Sequence, residues 1–124
     1  MLGYSGGDLY RIAKRFAFSA SHSLSTLEEG HPCSRLHGHN YEIELELSSD
    51  KLVDGMVVDY GDLSDFKLWI DSMLDHRHLN DCLEDEPTAE NMARALYEVA
   101  KVHHPEVSAV RVSETPKTWA EYRP

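Results

Sequence analysis

The chain predicts an α+β domain: a four-stranded antiparallel sheet with two helices packed on one face. Three observations carry this. Two long runs near the N-terminus alternate in the manner of half-buried strands. Two later stretches repeat apolar residues at helical spacing. Two short extended runs then close the chain. The resulting order, β-β-α-α-β-β, suggests an antiparallel sheet with its helices segregated to one side.

The first strand is expected from Tyr10 to about Ala20. Tyr10, Ile12, Phe16, Phe18 and Ala20 share one face, interrupted by Lys14, and His22 has the same parity just past the strand. Residues 23–32 read as a polar loop. The second strand runs from about His37 to Leu47, where Tyr41-Glu42-Ile43-Glu44-Leu45-Glu46-Leu47 alternates apolar and acidic. Gly55 to Asp59 leads into a helix over about Asp62–Leu74, with Leu63, Phe66, Ile70, Met73 and Leu74 at helical spacing and acids near its start. A second helix begins at Pro87-Thr88, with Thr88 as N-cap and Glu90 in the first turn. Its apolar stripe is Met92, Leu96, Val99 and Ala100. A third strand covers Val107 to Ser113 or Glu114, and a fourth Trp119 to Arg123, after a turn at Thr115-Pro116-Lys117.

The 124 residues suffice for one domain, expected over 10–124 behind a flexible leader of residues 1–9. That leader lacks the basic start and apolar stretch of a signal peptide, which predicts a cytoplasmic protein. No run reaches membrane-spanning length. The formal charge of −10 speaks against nucleic acid as a partner, because phosphate contacts need basic surface. Cys33 and Cys82 are expected to be thiols.

His37 and His39 sit two residues apart at a strand entrance, so both imidazoles point to one face. With His22 on the neighbouring strand they form a candidate metal site. Three imidazoles suit zinc and leave a coordination position open, as catalytic sites do. Cys33, four residues upstream of His37, reads either as a loop thiol or as a base whose thiolate a nearby metal would favour. Asp75-His76 reads either as a helix stop or as a carboxylate and a proton-relaying imidazole. Adjacent side chains do not usually bond to each other, which leaves room for separate partners for this pair. His78 could serve any role given to His76. Glu114 is either a strand-end acid or, sharing parity with Val110 and Val112, an inward carboxylate able to accept two hydrogen bonds from an amino-heterocycle. His103-His104-Pro105 reads as a helix stop.

Taken together, Phe18 to His22, Cys33 to Tyr41, Val58 to Tyr60, Leu74 to His76, Leu79-Asn80, Pro87 to Asn91 and Glu114-Thr115 resemble the 6-pyruvoyltetrahydropterin synthase family over about residues 10–123. The Cys-x-x-x-His-Gly-His spacing is most similar to its bacterial carboxy branch, the 6-carboxy-5,6,7,8-tetrahydropterin synthases. The resemblance implies the tunnelling fold, and a homo-oligomer, commonly a hexamer, with active sites at subunit contacts. It implies zinc on His22, His37 and His39, Cys33 as base, and His76 backed by Asp75 as proton relay. Glu114 would be pterin anchor and part of that relay, and Thr88 and Glu90 would line the pterin pocket. The implied substrate is 7,8-dihydroneopterin triphosphate, whose triphosphate would meet some of Lys14, Arg15, Arg35 or Lys117. The implied product is 6-carboxytetrahydropterin with acetaldehyde, on a route to queuosine-type 7-deazaguanines. The alternatives are the pyruvoyl product from the same substrate, and a non-catalytic zinc-bearing pterin-binding protein on the same fold.

Overall fold

A computed structural model describes residues 8–25 and 27–124. The expected leader lies outside the described residues except for Asp8 and Leu9. Strands β1 (Tyr10–His22), β2 (His37–Ser49), β3 (Val107–Thr115) and β4 (Thr118–Tyr122) form one antiparallel sheet in the order β1-β2-β3-β4. Helices α1 (Ser64–Met73) and α2 (Ala89–His103) lie between β2 and β3 in the chain. The order and class are as the sequence predicts.

The ends differ in instructive ways. β1 runs on through His22 because its last residues stay paired, Ala20 with His39 and His22 with His37. α1 begins two residues later than predicted. Asp59 caps a 3-10 turn, Tyr60–Leu63, by accepting from Gly61 N–H at 2.9 Å, and α1 starts only after that turn. Thr88 caps α2 as expected, its hydroxyl accepting from Asn91 N–H at 3.1 Å. Ahead of α1 a tight turn at Asp54-Gly55 holds both residues at positive φ, 52° and 78°, and closes a bridge between Val53 and Met56. Asp-Gly is the pair that reaches this conformation at least cost.

Alternation decides the layering. Phe16, Phe18, Ile43, Leu45, Leu47, Val110 and Val112 turn inward, against Phe66, Ile70, Met92, Leu96 and Ala100 of the helices. Phe16 meets Phe66 edge-on at 5.1 Å, and Phe18 stacks on Tyr41 at 5.0 Å. Each such side chain contributes roughly 1.5–3 kcal/mol by leaving water. The same alternation puts opposite charges in register on the other face. Arg15 stands opposite Glu44, Glu44 opposite Arg111, and Arg111 opposite Glu121. The Arg111 guanidinium also lies 3.8 Å from the centre of the Trp119 ring.

One ion pair on that face ties the chain's end to the sheet centre. Arg123 grips Glu46 with both terminal nitrogens, at 2.5 and 2.9 Å, and Ser108 Oγ donates to the same carboxylate at 2.6 Å. The Arg123 hydrogen bonds hold the Glu46 carboxyl below its ordinary range, against the opposing effect of burial. A carboxyl depressed in the folded state stabilises fully above its ordinary pKa and loses that contribution as pH falls through the folded value. Arg123→Gln is therefore expected to cost about 1 kcal/mol at neutral pH, discounted for the exposure of the pair. The gap to the parent protein should close in acid. Thermal melts from neutral pH down through the carboxylate range check this; a gap that does not change with pH would contradict it.

Candidate metal centre and active site

Register builds the histidine cluster. His22 and His37 are directly paired, and His39 lies opposite Ala20, so all three occupy the core-facing side at one end of the β1–β2 pair. Their rings stand 4.5 to 5.0 Å apart, nearly perpendicular to one another. One ligand nitrogen from each lies within 4.8 Å of the others.

The surrounding hydrogen bonds show which nitrogens are offered. His22 Nδ1 is 2.8 Å from the Pro87 carbonyl, and His37 Nδ1 is 2.7 Å from the Arg35 carbonyl. A carbonyl only accepts, so both Nδ1 atoms carry the proton and both Nε2 atoms are left with lone pairs. Those two Nε2 atoms face each other at 2.8 Å. His39 Nε2 is buried with no hydrogen-bond partner among the described residues, and its nearest opposite charge, Glu114, lies at 3.8 Å. Two opposed lone pairs and an orphaned buried nitrogen are a poor arrangement for neutral imidazoles alone. They are what a cation between them would satisfy, and ligand histidines commonly donate their other N–H to a carbonyl. The donor set fits a divalent metal. Burial pushes the His39 pKa down; the neighbouring imidazoles act in the same direction and Glu114 against it. Burial, helped by Glu114, pushes the Tyr41 phenol up, and its hydroxyl sits 3.1 Å from His22 Nδ1.

Sequence reasoning missed the residues that hold this end of the sheet. Asn80 clips the residue after His22, accepting from Ser23 N–H at 2.9 Å and donating to Ser23 O at 2.8 Å. Asn91 donates to Glu86 O at 2.9 Å, fixing the bend that presents the Pro87 carbonyl. The only signals were Leu79-Asn80 and Pro87 to Asn91 themselves, which the sequence offers as motif and helix start.

Cys33 lies in a 3-10 turn, Pro32–Ser34, whose cap is the His31 imidazole, accepting from Cys33 N–H at 3.1 Å. Leu24 N–H donates to Cys33 O at 3.1 Å, which ties this loop to the chain just beyond His22. Cys33 and Cys82 are both free, and Cys33 is half-buried. Glu114, Thr88 and Glu90 line one cavity of about 370 Å³ with Leu24, Val112 and Trp119. Glu114 thus takes the inward position its parity suggests.

Asp75 and His76 correct an expectation. They do bond to each other: His76 Nδ1 lies 2.9 Å from Asp75 Oδ2. The reason is backbone conformation, since His76 sits at φ 60°, which turns its ring back toward the preceding carboxylate. Asp75 Oδ1 accepts from Ser19 N–H at 2.9 Å, and that bond, then His76, lowers the Asp75 pKa. His76 N–H donates to Ser19 O and Ser21 N–H to Arg77 O, so residues 76–78 run beside the end of β1. There His76 lines a groove with Ser19, Ser21 and Asn40, which belong to the face of the sheet opposite the metal ligands. Of the three clustered histidines, His39 also borders this groove. His78 lines the same groove, with Ser21 Oγ 3.0 Å from its Nδ1. His104 does more than stop a helix: its Nε2 lies 2.9 Å from Asp65 and ties α2 to α1.

A family model described as 6-pyruvoyl tetrahydropterin synthase matches residues 11–124. The chain belongs to that family. An Archaeoglobus fulgidus protein provisionally named 6-carboxy-5,6,7,8-tetrahydropterin synthase is 36% identical over 108 residues, 86% of this chain and 90% of that one. The Synechocystis 6-carboxy-5,6,7,8-tetrahydropterin synthase is 34% identical over 125 residues, 92% of this chain and 93% of that one. The solved structure of Caenorhabditis elegans 6-pyruvoyl tetrahydropterin synthase superposes with a TM-score of 0.82 at 26% identity, over 94% of this chain and 96% of that one. The fold is thus the tunnelling fold of the 6-pyruvoyl tetrahydropterin synthases, and the chain is an enzyme of that family. No helix among the described residues is long and apolar enough to cross a membrane.

Proposed function

We propose that this member of the family is a cytoplasmic, zinc-dependent 6-carboxy-5,6,7,8-tetrahydropterin synthase. It would convert 7,8-dihydroneopterin triphosphate and one water to 6-carboxytetrahydropterin, acetaldehyde and triphosphate, on a route to queuosine-type 7-deazaguanines. The observation that carries this reading is the convergence of three imidazoles next to Glu114, on a chain whose relatives bear that name.

His22, His37 and His39 would hold the ion, and zinc suits an all-imidazole set. A bound divalent ion supplies the Lewis acidity that makes a C–H bond beside a held hydroxyl easier to break. The residues of the chain do the rest. The Cys33 thiolate takes the proton from the substrate side chain. Glu114 accepts two hydrogen bonds from the amino and ring N–H groups of the pterin and so fixes the ring. It also has a part in the proton relay. Thr88 and Glu90 line the same cavity and bound the ring's position. His76 carries protons at Nε2, with Asp75 holding Nδ1–H. His76 stands beside Ser19, Ser21 and Asn40, whose parity puts them on the sheet face opposite the metal ligands, so it would serve the site of a neighbouring copy. That supports a homo-oligomer, as the hexamers of this fold are, with active sites at subunit contacts.

The test is a product assay. Zinc-loaded protein is incubated with 7,8-dihydroneopterin triphosphate without added reductase, and products are read by mass spectrometry with acetaldehyde trapping. Trapped acetaldehyde with 6-carboxytetrahydropterin is expected. A pyruvoyl product without acetaldehyde would move the chain to the branch of its Caenorhabditis elegans structural relative. No turnover by a zinc-replete oligomer would make it a pterin-binding protein.

A further inference from the structure

Of four cavities on the described surface, three carry acidic side chains: Glu42 and Glu44 in one, Asp65 in another, Glu90 and Glu114 in the third. The fourth carries none. It is the open groove of about 480 Å³ where residues 76–78 lie against β1, lined by Ser19, Ser21, Asn40, His76, Arg77 and His78 together with Ala20, Gly38 and His39. In a chain with 22 acidic residues against 12 lysines and arginines, an acid-free groove bearing an arginine is where an anion meets least repulsion.

The groups in this groove are arranged as donors. Asn40 Oδ1 accepts from Ser19 Oγ at 2.7 Å, which leaves the amide NH2 for an outside acceptor. His76 gives its Nδ1–H to Asp75, so its Nε2 donates only when the ring is protonated, whereas His78, with Ser21 Oγ at 3.0 Å from Nδ1, donates from Nε2 in the tautomer in which Ser21 donates. Arg77 is exposed and has no ion pair or side-chain hydrogen bond with any described residue. Its backbone is nonetheless fixed, because Arg77 O accepts from Ser21 N–H at 3.1 Å and His78 bridges to Ser21. Asp75, which borders the groove through His76, is engaged by Ser19 N–H and His76. The cations suggested by sequence fare differently. Arg15 faces Glu44, Lys14 Nζ donates to the Tyr60 carbonyl at 3.3 Å, and neither these two nor Arg35 or Lys117 lines the groove.

We propose that this groove is a polyphosphate subsite, with the Arg77 guanidinium as its principal cation, and that it holds the triphosphate of the substrate. The assignment of the substrate rests on the function proposed above; the polyphosphate chemistry does not. A planar guanidinium with five N–H donors matches phosphate oxygens two at a time, and the neighbouring Asn40 amide extends the contact along a chain of phosphates. The loop that presents the proton relay would then present the phosphate grip too. Both would reach the same neighbouring site from one rigid segment.

The test uses the zinc-loaded, full-length protein and its Arg77→Gln and Arg77→Lys variants, with metal content assayed after each titration. Inorganic tripolyphosphate and phosphate-free neopterin are titrated separately by calorimetry. Arg77→Gln is expected to weaken tripolyphosphate binding by about tenfold or more, and Arg77→Lys by less, because a point charge remains. Neopterin affinity should not change in either variant. Equal tripolyphosphate affinity in the parent and Arg77→Gln, or no binding by the parent, overturns the subsite. With 7,8-dihydroneopterin triphosphate, KM should rise in Arg77→Gln by a factor similar to the loss in tripolyphosphate affinity. Weakened tripolyphosphate binding with an unchanged KM would assign the groove to a free polyphosphate such as a nucleotide and overturn the substrate assignment. A parent that binds tripolyphosphate through Arg77 but neither binds neopterin nor turns over would remove the proposed function and leave the polyphosphate site standing.

Discussion

Replacing Cys33 with alanine is expected to leave the fold and the metal in place while turnover falls by about 10²–10⁴-fold, the range for loss of a positioned base. The structure explains why so little else should change. The contacts recorded for Cys33 are made by its backbone: its N–H donates to His31 Nδ1, and its carbonyl accepts from Leu24 N–H. The thiol is not among the three groups that converge on the candidate ion. Substrate affinity should also persist, since the proposed function gives ring recognition to Glu114 rather than to sulfur. The check is a single-turnover assay with metal analysis and a thermal melt on the same preparation. A Cys33→Ala protein with near-parental turnover would remove the base assignment.

An effect of similar size is expected from His37→Ala, by a different route. This variant should lose its zinc, and with it activity, while keeping its melting temperature in the metal-free state close to that of the metal-free parent. His37 is the informative choice among the three. His22 is 1% exposed and is bound to both the Pro87 carbonyl and the Tyr41 hydroxyl, so removing it would strand buried polar groups and cost stability on its own account. The recorded bonds of His37 are to the Arg35 carbonyl, at the surface, and to His22 Nε2. Loss of a direct ligand should weaken zinc binding by more than the roughly 10–100-fold that removing an outer hydrogen-bond partner costs. Elemental analysis after dialysis decides the matter; full occupancy in His37→Ala would refute the ligand set.

The sequence exposes this architecture where periodicity carries the information. The alternation in Tyr41 to Leu47 gives both the strand and its buried face. The parity of His22, His37 and His39 is enough to bring three imidazoles to one face of two strands. The Thr88 cap follows from chemistry at a helix start. The parts that stay hidden depend on backbone conformation or on distant pairing. The Asp75–His76 bond requires a left-handed residue in a loop, which no periodicity announces. The Pro87 carbonyl that orients His22 is 65 residues away from it and is a main-chain atom that any residue would supply. Arg77 reads as one cation among twelve until the zipper between residues 76–78 and β1 gives it an acid-free setting.

The left-handed backbone at His76 sets two selections against each other. A side chain with a Cβ pays roughly 1–2 kcal/mol to sit there, whereas glycine sits there freely. A library screened only for heat resistance would therefore drift toward His76→Gly, gaining a more relaxed loop at the moment the imidazole disappears. A library screened for pterin turnover would drift back. Position 76 is thus a place where ranking variants by thermostability and ranking them by catalysis should give opposite orders.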